Sequence, residues 1–392
     1  MKILVSGAGI TGAAATLFLH ATGHDVVTVD QAPSFRRLGY MLSLKYFGLG
    51  VAKSLGLLDD VRRAGIPYRT TQVHDARGEL VREYPLELLN RAVKGSVFML
   101  RSDLHQVLFA AADKAVKVRF GLHVARIEPS DAAVTVAWSD GRSERFDLVV
   151  VAEGLRSSTR RMLWGDEGFR AFDVIYSATV VDGTHDVPER VCQLFMGPGA
   201  TVQLFPLPDG RLVIQSYFRG TLDAGAPADQ VRSLLHQACR ALPPRIRDLV
   251  DRVAGTAFMF CDGVGMVSLP QLSRGRVVLL GDAGYCPSFL SGMGASMGML
   301  GAEALDKALR ESPTDVPRAL ASFNGLMQPV VAHYHQAARA NLDLLLTKSR
   351  VRTWFHEWVL RRFPPALVVR QLARQRDLET SLLRGFGPLE VA

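Results

Sequence analysis

The sequence predicts an α/β fold, a Rossmann-like dinucleotide-binding domain interleaved with an antiparallel-sheet domain and followed by C-terminal helices. Three observations lead there. A βαβ unit with a glycine turn opens the chain, alternating strands separated by turn residues fill its middle, and residues 313–392 read as helical. At 392 residues the chain exceeds what one hydrophobic core serves, so two packed domains are expected. It contains no internal repeat or low-complexity linker, which predicts domains that interleave rather than hang on a tether.

Ile3-Leu4-Val5-Ser6 is a short apolar run of the kind buried in a parallel sheet, followed by a helix over 10–21 rich in alanine. Val26 to Val29 forms a second such run ending at Asp30. A helix is expected near Gly48 to Leu57, and another after Arg101, capped by Ser102-Asp103 and running to about Lys114. Val116 to Phe120 and His123 to Ile127 read as strands. Ala133 to Trp138 and Arg145 to Val151 flank Ser139-Asp140-Gly141, a hairpin signal. Between Phe172 and Phe260, segments such as Val202 to Phe205 and Leu212 to Gln215 are separated by Pro208-Asp209-Gly210, as in an antiparallel sheet, with a helix expected over 228–241. Strand chemistry returns at Arg276 to Leu280, and a helix of small residues starts near Gly292.

The net charge of +8 raises the question of nucleic acid. Much of the excess lies at Lys348, Arg350, Arg352, Arg361, Arg362, Arg370, Arg374 and Arg376, interleaved with Trp354, Phe355, Trp358, Val359 and Leu360 at helical spacing. That pattern predicts a packed helix with a solvated basic face, not a nucleic-acid groove. Cys192, Cys239, Cys261 and Cys286 lack metal or redox spacing and are expected as free thiols in the cytoplasm. His333 and His335 point to different faces of a helix, so no metal site is expected. There is no signal peptide and no apolar run of spanning length, which predicts a soluble protein.

Gly7, Gly9, Ile10 and Gly12 lie between a strand and a helix, where GxGxxG lets a diphosphate approach backbone N–H groups at a helix N-terminus. Asp30, ending the second strand, is placed to accept hydrogen bonds from ribose hydroxyls. Two further segments end apolar runs in an acid: Asp147-Leu-Val-Val-Val-Ala-Glu153-Gly154, beside Arg156, and Gly281-Asp282-Ala283, followed by Pro287, Gly292 and Gly294.

These three motifs, in this order, resemble the class A flavoprotein monooxygenases, typified by para-hydroxybenzoate hydroxylase and including the tetracycline-inactivating and natural-product-tailoring enzymes. The resemblance covers residues 1 to about 310 and is fainter across the middle sheet. It implies FAD as cofactor and NADPH or NADH as reductant. It also implies a discontinuous FAD-binding domain over 1–70, 96–170 and 262–312, a substrate-binding domain over 71–95 and 171–261, and a helical region over 313–392. Through it Asp30 is expected at the adenosine ribose, Arg101 and Asp282 at the FAD, and the N–H groups of Gly292, Gly294 and Ala295 at the flavin pyrimidine edge. Glu153 and Gly154 are expected at the cofactor, and Arg37 (or Arg36) at the FAD or the NADPH.

The chain departs from the family pattern at Glu153, where Asp is usual, at Gly284-Tyr285, where Ala-His is common, and at Phe289, where a proline is expected. Gln203, Phe205, Gln215, Tyr217 and Phe289 are the substrate-pocket candidates, with Phe218, Phe258 and Phe260 as further apolar ones, and no catalytic base is assigned. The implied activity is insertion of one atom of O2 into a hydrophobic, aromatic or polycyclic natural product, by a monomer or homodimer. Two alternatives stay open: a redox-silent FAD scaffold, favoured by the departures, and a flavin halogenase, disfavoured because none of Trp138, Trp164, Trp354 and Trp358 lies in a Trp-x-Trp-x-Ile-Pro segment.

Overall fold

The computed structural model describes residues 1–35, 40–222, 227–254, 260–346, 349–362 and 365–386. Strands Lys2–Ser6 and Asp25–Asp30 flank helix Ile10–Ala21 and pair in parallel, Lys2 opposite Asp25. Lys2–Ser6 also pairs in parallel with Leu148–Val151, and that strand with Val277–Leu279. Among the described residues, Arg119–Phe120 and the antiparallel Ser273–Arg274 complete a six-stranded sheet. Its inner strands are buried in one core with helix Ile10–Ala21 and with the three-stranded antiparallel sheet of Val124–Pro129, Val134–Trp138 and Ser143–Phe146, so they are apolar without alternation.

The run from Arg145 to Val151, expected as one strand, is two. Ser143–Phe146 closes the hairpin with Val134–Trp138, whereas Leu148–Val151 enters the parallel sheet. Asp147 makes the break: its N–H donates to the Lys2 carbonyl at 2.8 Å and its carboxylate accepts the Lys2 N–H at 2.7 Å. The helix at Arg101–Ala115 starts on Arg101 itself, with Leu100 before it and no side-chain cap. Ser102 and Asp103 therefore lie inside its first turn, where the Asp103 charge still favours the N-terminal dipole.

The second sheet has seven strands among the described residues, in the order Phe260–Val267, Phe169–Val181, Leu212–Arg219, Ala200–Pro206, Val191–Gly197, Thr70–His74 and Leu80–Pro85. Neighbours run antiparallel except Val191–Gly197 and Thr70–His74, which are parallel. The sheet passes the boundary read at residue 261, because Phe169–Val181, 13 residues long, takes a neighbour that runs to Val267. Strand alternation divides the side chains. Ile175, Val202, Leu204, Ile214 and Phe218 pack beneath helices Ala228–Ala238 and Pro244–Ala254, meeting Leu235, Ile246 and Val250. The opposite face carries Tyr176, Gln203, Gln215 and Tyr217 toward strand Met41–Lys45 and the turn Phe289–Ser291.

Helix Gly294–Glu311 packs against both Ile10–Ala21 and the long helix Val316–Leu345. Arg350–Arg362 and Pro365–Leu382 follow. The expectation of a packed helix fails for Arg350–Arg362: Val351, Trp354, Phe355 and Trp358 are exposed. Only its other side meets the body, where Thr353 is buried and the Arg82 guanidinium donates to the Leu360 carbonyl.

Candidate functional site

The glycines of the first turn do two jobs. Gly7 has φ +101°, and a methyl group there would lie 2.5 Å from the Ala152 carbonyl oxygen. A methyl on Gly12 would lie 1.7 Å from the Gly7 carbonyl oxygen. These two glycines let strand, turn and helix close on one another. Gly9 differs: a methyl there meets no protein atom within 4 Å. It precedes helix Ile10–Ala21, whose N-terminus has no side-chain cap. Open space in front of uncapped backbone N–H groups is the donor set that a diphosphate requires, so the residues fit a dinucleotide.

Asp30 holds this turn in shape. One carboxylate oxygen accepts the Ala8 N–H and the other the Ala32 N–H, each at 2.8 Å, leaving further lone pairs toward the open side. The His105 Nε2 lies 2.7 Å from the Ala8 carbonyl oxygen, to which it donates. Burial lowers the His105 pKa, opposed by that hydrogen bond, so the ring stays neutral. Its ring packs 4.7 Å from that of Phe35. Sequence reading missed His105; its position one helical turn after Arg101 was the available signal.

The second turn meets the first. Gly281 and Gly298 both press on Thr11, since methyl groups on them would lie 2.4 and 2.2 Å from its Oγ1. The Asp282 carboxylate faces the start of helix Gly294–Glu311, where a methyl on Gly294 would lie 3.6 Å from its Oδ1. Burial raises the Asp282 pKa, while a hydrogen bond with Cys286 and the charge of Arg101 oppose the rise. Arg101 donates its N–H to the Tyr40 carbonyl at 2.7 Å and holds its guanidinium 5.6 Å from the Tyr40 ring centroid. Gly292 is left-handed, φ +63°, and ends the turn Phe289–Ser291. A methyl on it would lie 3.6 Å from the Lys45 Nζ, a second cation that sequence reading missed. The Gly7–Gly12 turn, Asp282 and the Gly292–Ala295 segment thus surround one region, with Arg101 at its side. Arg37 and Phe258 lie outside the described residues.

Glu153 is held by hydrogen bonds within the protein. Its Oε1 accepts from Ser6 Oγ and Thr159 Oγ1, both at 2.6 Å, and its Oε2 from Ser157 Oγ at 2.7 Å and the Thr159 N–H at 3.1 Å. The side chain fastens strand Lys2–Ser6 to the start of helix Ser158–Trp164. Gly154, φ +80°, turns the backbone immediately after it. Tyr285 is also a packing residue: it is fully buried with its hydroxyl against Gly301, where a methyl would lie 1.8 Å away.

The substrate candidates separate into two groups. Tyr217 and Phe289 join Tyr40, Tyr176 and Phe260 in one aromatic cluster. Phe289 stacks on Tyr176 at 4.5 Å and meets Tyr40 edge-on at 5.6 Å, and Tyr217 lies 4.9 Å from Tyr176. Burial raises the pKa of Tyr176 and Tyr217, and that of Tyr40 to about 12, so all three hydroxyls stay protonated at neutral pH. Phe205 lies apart, packed with Met41, Tyr68 and Val213. Its strand carries it two residues beyond Gln203, and Tyr68 rather than the cluster covers its ring, at 6.1 Å. Gln203 and Gln215 stand between the groups; Gln215 donates to Gln203 at 3.4 Å and accepts the Met41 N–H. Tyr40 and Tyr176 went unread because nothing local announces that residues so far apart in sequence will meet.

The four cysteines among the described residues are free thiols. His333 lies 3.9 Å from Glu379, and His335 is buried, which lowers its pKa. No group of His, Cys, Asp and Glu among the described residues could hold a metal, and no described helix is long and apolar enough to cross a membrane.

Residues 1–322 match the family model described as "FAD binding domain". The chain is 27% identical over 383 residues to the FAD-dependent monooxygenase asL6 of Sarocladium schorii, covering 91% of this chain and 90% of that protein. It is 26% identical to a flavin-dependent monooxygenase of Legionella longbeachae over 84% of this chain and 86% of the other. Among solved structures, Klebsiella pneumoniae HpxO complexed with FAD and uric acid superimposes with a TM-score of 0.84 at 24% identity, covering 100% of this chain and 98% of that one. The tetracycline destructase Tet(55) does so with a TM-score of 0.79 at 24% identity, over 95% and 96%.

Proposed function

This chain belongs to the FAD-binding domain family and is an FAD-dependent monooxygenase, and we propose that it inserts one atom of O2 into a hydrophobic, aromatic or polycyclic small molecule using NAD(P)H. The observation that carries the substrate reading is the continuity of Asp282, the turn Phe289–Ser291 and the aromatic cluster. Phe289 belongs to the segment joining Asp282 to Gly292, and it stacks on Tyr176 of the middle sheet.

FAD when bound supplies the redox chemistry, taking reducing equivalents from NAD(P)H and activating O2. The chain's own residues bind, orient and exclude water. The N–H groups from Gly7 to Ile10 would hold the diphosphate, and Asp30 the adenosine ribose. Asp282 and Arg101 would hold the ribityl side. The N–H groups of Gly292, Gly294 and Ala295 would serve the pyrimidine edge, where the start of helix Gly294–Glu311 would favour negative charge. Tyr40, Tyr176, Tyr217, Phe260 and Phe289 form an apolar wall for a flat substrate, and the neutral hydroxyls of the three tyrosines can donate to a substrate oxygen. The enzyme acts in the cytoplasm as a monomer or homodimer.

The redox-silent alternative rested on Glu153, Tyr285 and Phe289. The hydrogen bonds of Glu153 and the buried position of Tyr285 account for two of these in packing terms. The deciding experiment is absorbance of the purified protein: flavin colour bleached by NAD(P)H without oxygen and restored by O2, with consumption of NAD(P)H accelerated by aromatic substrates. Flavin that NAD(P)H leaves oxidised in the presence of such substrates refutes the reading.

A further inference from the structure

Helix Arg350–Arg362 leaves uncovered the side that a globular protein ordinarily buries. Val351, Trp354, Phe355 and Trp358 recur at the i, i+3, i+4, i+7 spacing of one helix face and are 73, 62, 52 and 45% exposed. Phe355 and Trp358 stack on each other, 6.1 Å between centroids. At about 100° per residue, Arg362 prolongs this stripe and Arg352 borders it, both exposed.

The opposite side ties the helix down. Thr353 is buried, Arg82 donates to the carbonyls of Leu360 and Arg361, and the Arg361 guanidinium reaches Asp75 at 3.0 Å. The helix's one carboxylate, Glu357, is half-buried on that side, where burial and then the charge of Asp75 raise its pKa. Glu357 and Arg361 thus face the body, while Arg352 and Arg362 stand on the exposed side with the aromatic stripe. The next helix repeats the combination, with exposed Leu367 and Leu378 on the same element as exposed Arg370 and Arg374.

Tryptophan and phenylalanine bordered by arginine is the composition of helices that lie in a bilayer interface, rings at headgroup depth and guanidinium groups on phosphate. A second copy across a two-fold axis would set the same arginines against one another, whereas an anionic surface complements them. With 13 residues the helix lies on such a surface and does not span it. We propose that helix Arg350–Arg362 docks this protein on an anionic lipid bilayer, with Val351, Trp354, Phe355 and Trp358 entering the headgroup–acyl boundary and Arg352 and Arg362 contacting lipid phosphates.

The test mixes the full-length, FAD-loaded chain with vesicles of phosphatidylcholine alone or with added phosphatidylglycerol, following co-sedimentation and tryptophan emission. Trp138 and Trp164 are buried, so an emission change reports on Trp354 and Trp358. Expected are a blue shift and binding that need phosphatidylglycerol and weaken with salt. Trp354→Ser or Trp358→Ser should lower the partition constant about tenfold, and Arg352→Gln about fivefold. Circular dichroism and bound flavin should match the wild type in each; if one variant misfolds, Phe355→Ser replaces it. No binding to the phosphatidylglycerol vesicles at low salt, or equal binding by the tryptophan variants, overturns the proposal. So does lipid-independent self-association, or preferential oligonucleotide binding, lost in the same variants.

Discussion

Gly9→Val and Gly12→Ala should separate the two duties of the glycine turn. Gly9 sits at φ −69°, open to any residue, with no protein atom within 4 Å of an added methyl. Valine there costs the flavin-free protein at most about 1 kcal/mol, the ordinary penalty for a poor helix-capping residue. Its methyl groups occupy the space in front of the uncapped helix. Loss of one charge-assisted hydrogen bond to the diphosphate costs about 1.5–3 kcal/mol, or roughly ten- to hundredfold in FAD affinity. Gly12→Ala reverses the pattern. Its methyl would lie 1.7 Å from the Gly7 carbonyl oxygen, so helix and strand must part, at a cost of about 1–3 kcal/mol or more. Both variants, stripped of flavin, would be unfolded by heat and then titrated with FAD by fluorescence quenching. Wild-type FAD affinity in folded Gly9→Val refutes the phosphate assignment, and unchanged unfolding of Gly12→Ala refutes the packing one.

Glu153→Ala should lower the stability of the flavin-free protein by about 2–4 kcal/mol, because four donors lose one acceptor group; an unfolding curve matching the wild type contradicts its structural role. His105 has its pKa lowered by burial, so the folded state binds fewer protons than the unfolded chain between that depressed value and 6.5. Its stabilising share is complete above pH 6.5 and is lost as pH falls; thermal scans should show a shallower acid decline for His105→Gln, and an identical slope counts against it. Phe289→Ala should raise the substrate KM and uncouple NAD(P)H use from product while FAD affinity stays within about twofold, since its aromatic contacts, about 0.5–1.5 kcal/mol each, face Tyr176 and Tyr40. A drop in FAD affinity without uncoupling would move Phe289 to the cofactor.

Local signals were read well where a short stretch carries its own reason. Helix Ile10–Ala21 follows from a glycine turn and an alanine run, and the turn at Pro208 to Gly210 from its three residues. What escaped depends on partners elsewhere. Leu148–Val151 is all apolar because its sheet is buried on both faces, and no local pattern says that Asp147 parts it from the hairpin. The hydrogen bonds of Glu153 went unread because its partners Ser6, Ser157 and Thr159 gather only in three dimensions. The pairing of Tyr176 with Tyr217 is a matter of strand register, invisible without the partner strand. Trp354, Phe355 and Trp358 read as core by periodicity, and only the fold reveals that they stand exposed among the described residues.

The parallel pairing of Thr70–His74 with Val191–Gly197 sets a timetable for synthesis. The hairpin Thr70–Pro85 leaves the ribosome as a strand pair whose inner edge is bare until the chain has grown from His74 to Val191. At about 5–20 residues per second that wait is on the order of 6–25 seconds, long compared with hairpin formation. Throughout it, Thr70–His74 displays unpaired amides that another nascent chain could capture. Slower growth temperature or a holdase present during expression should therefore raise the yield of this enzyme more than any buffer change after lysis.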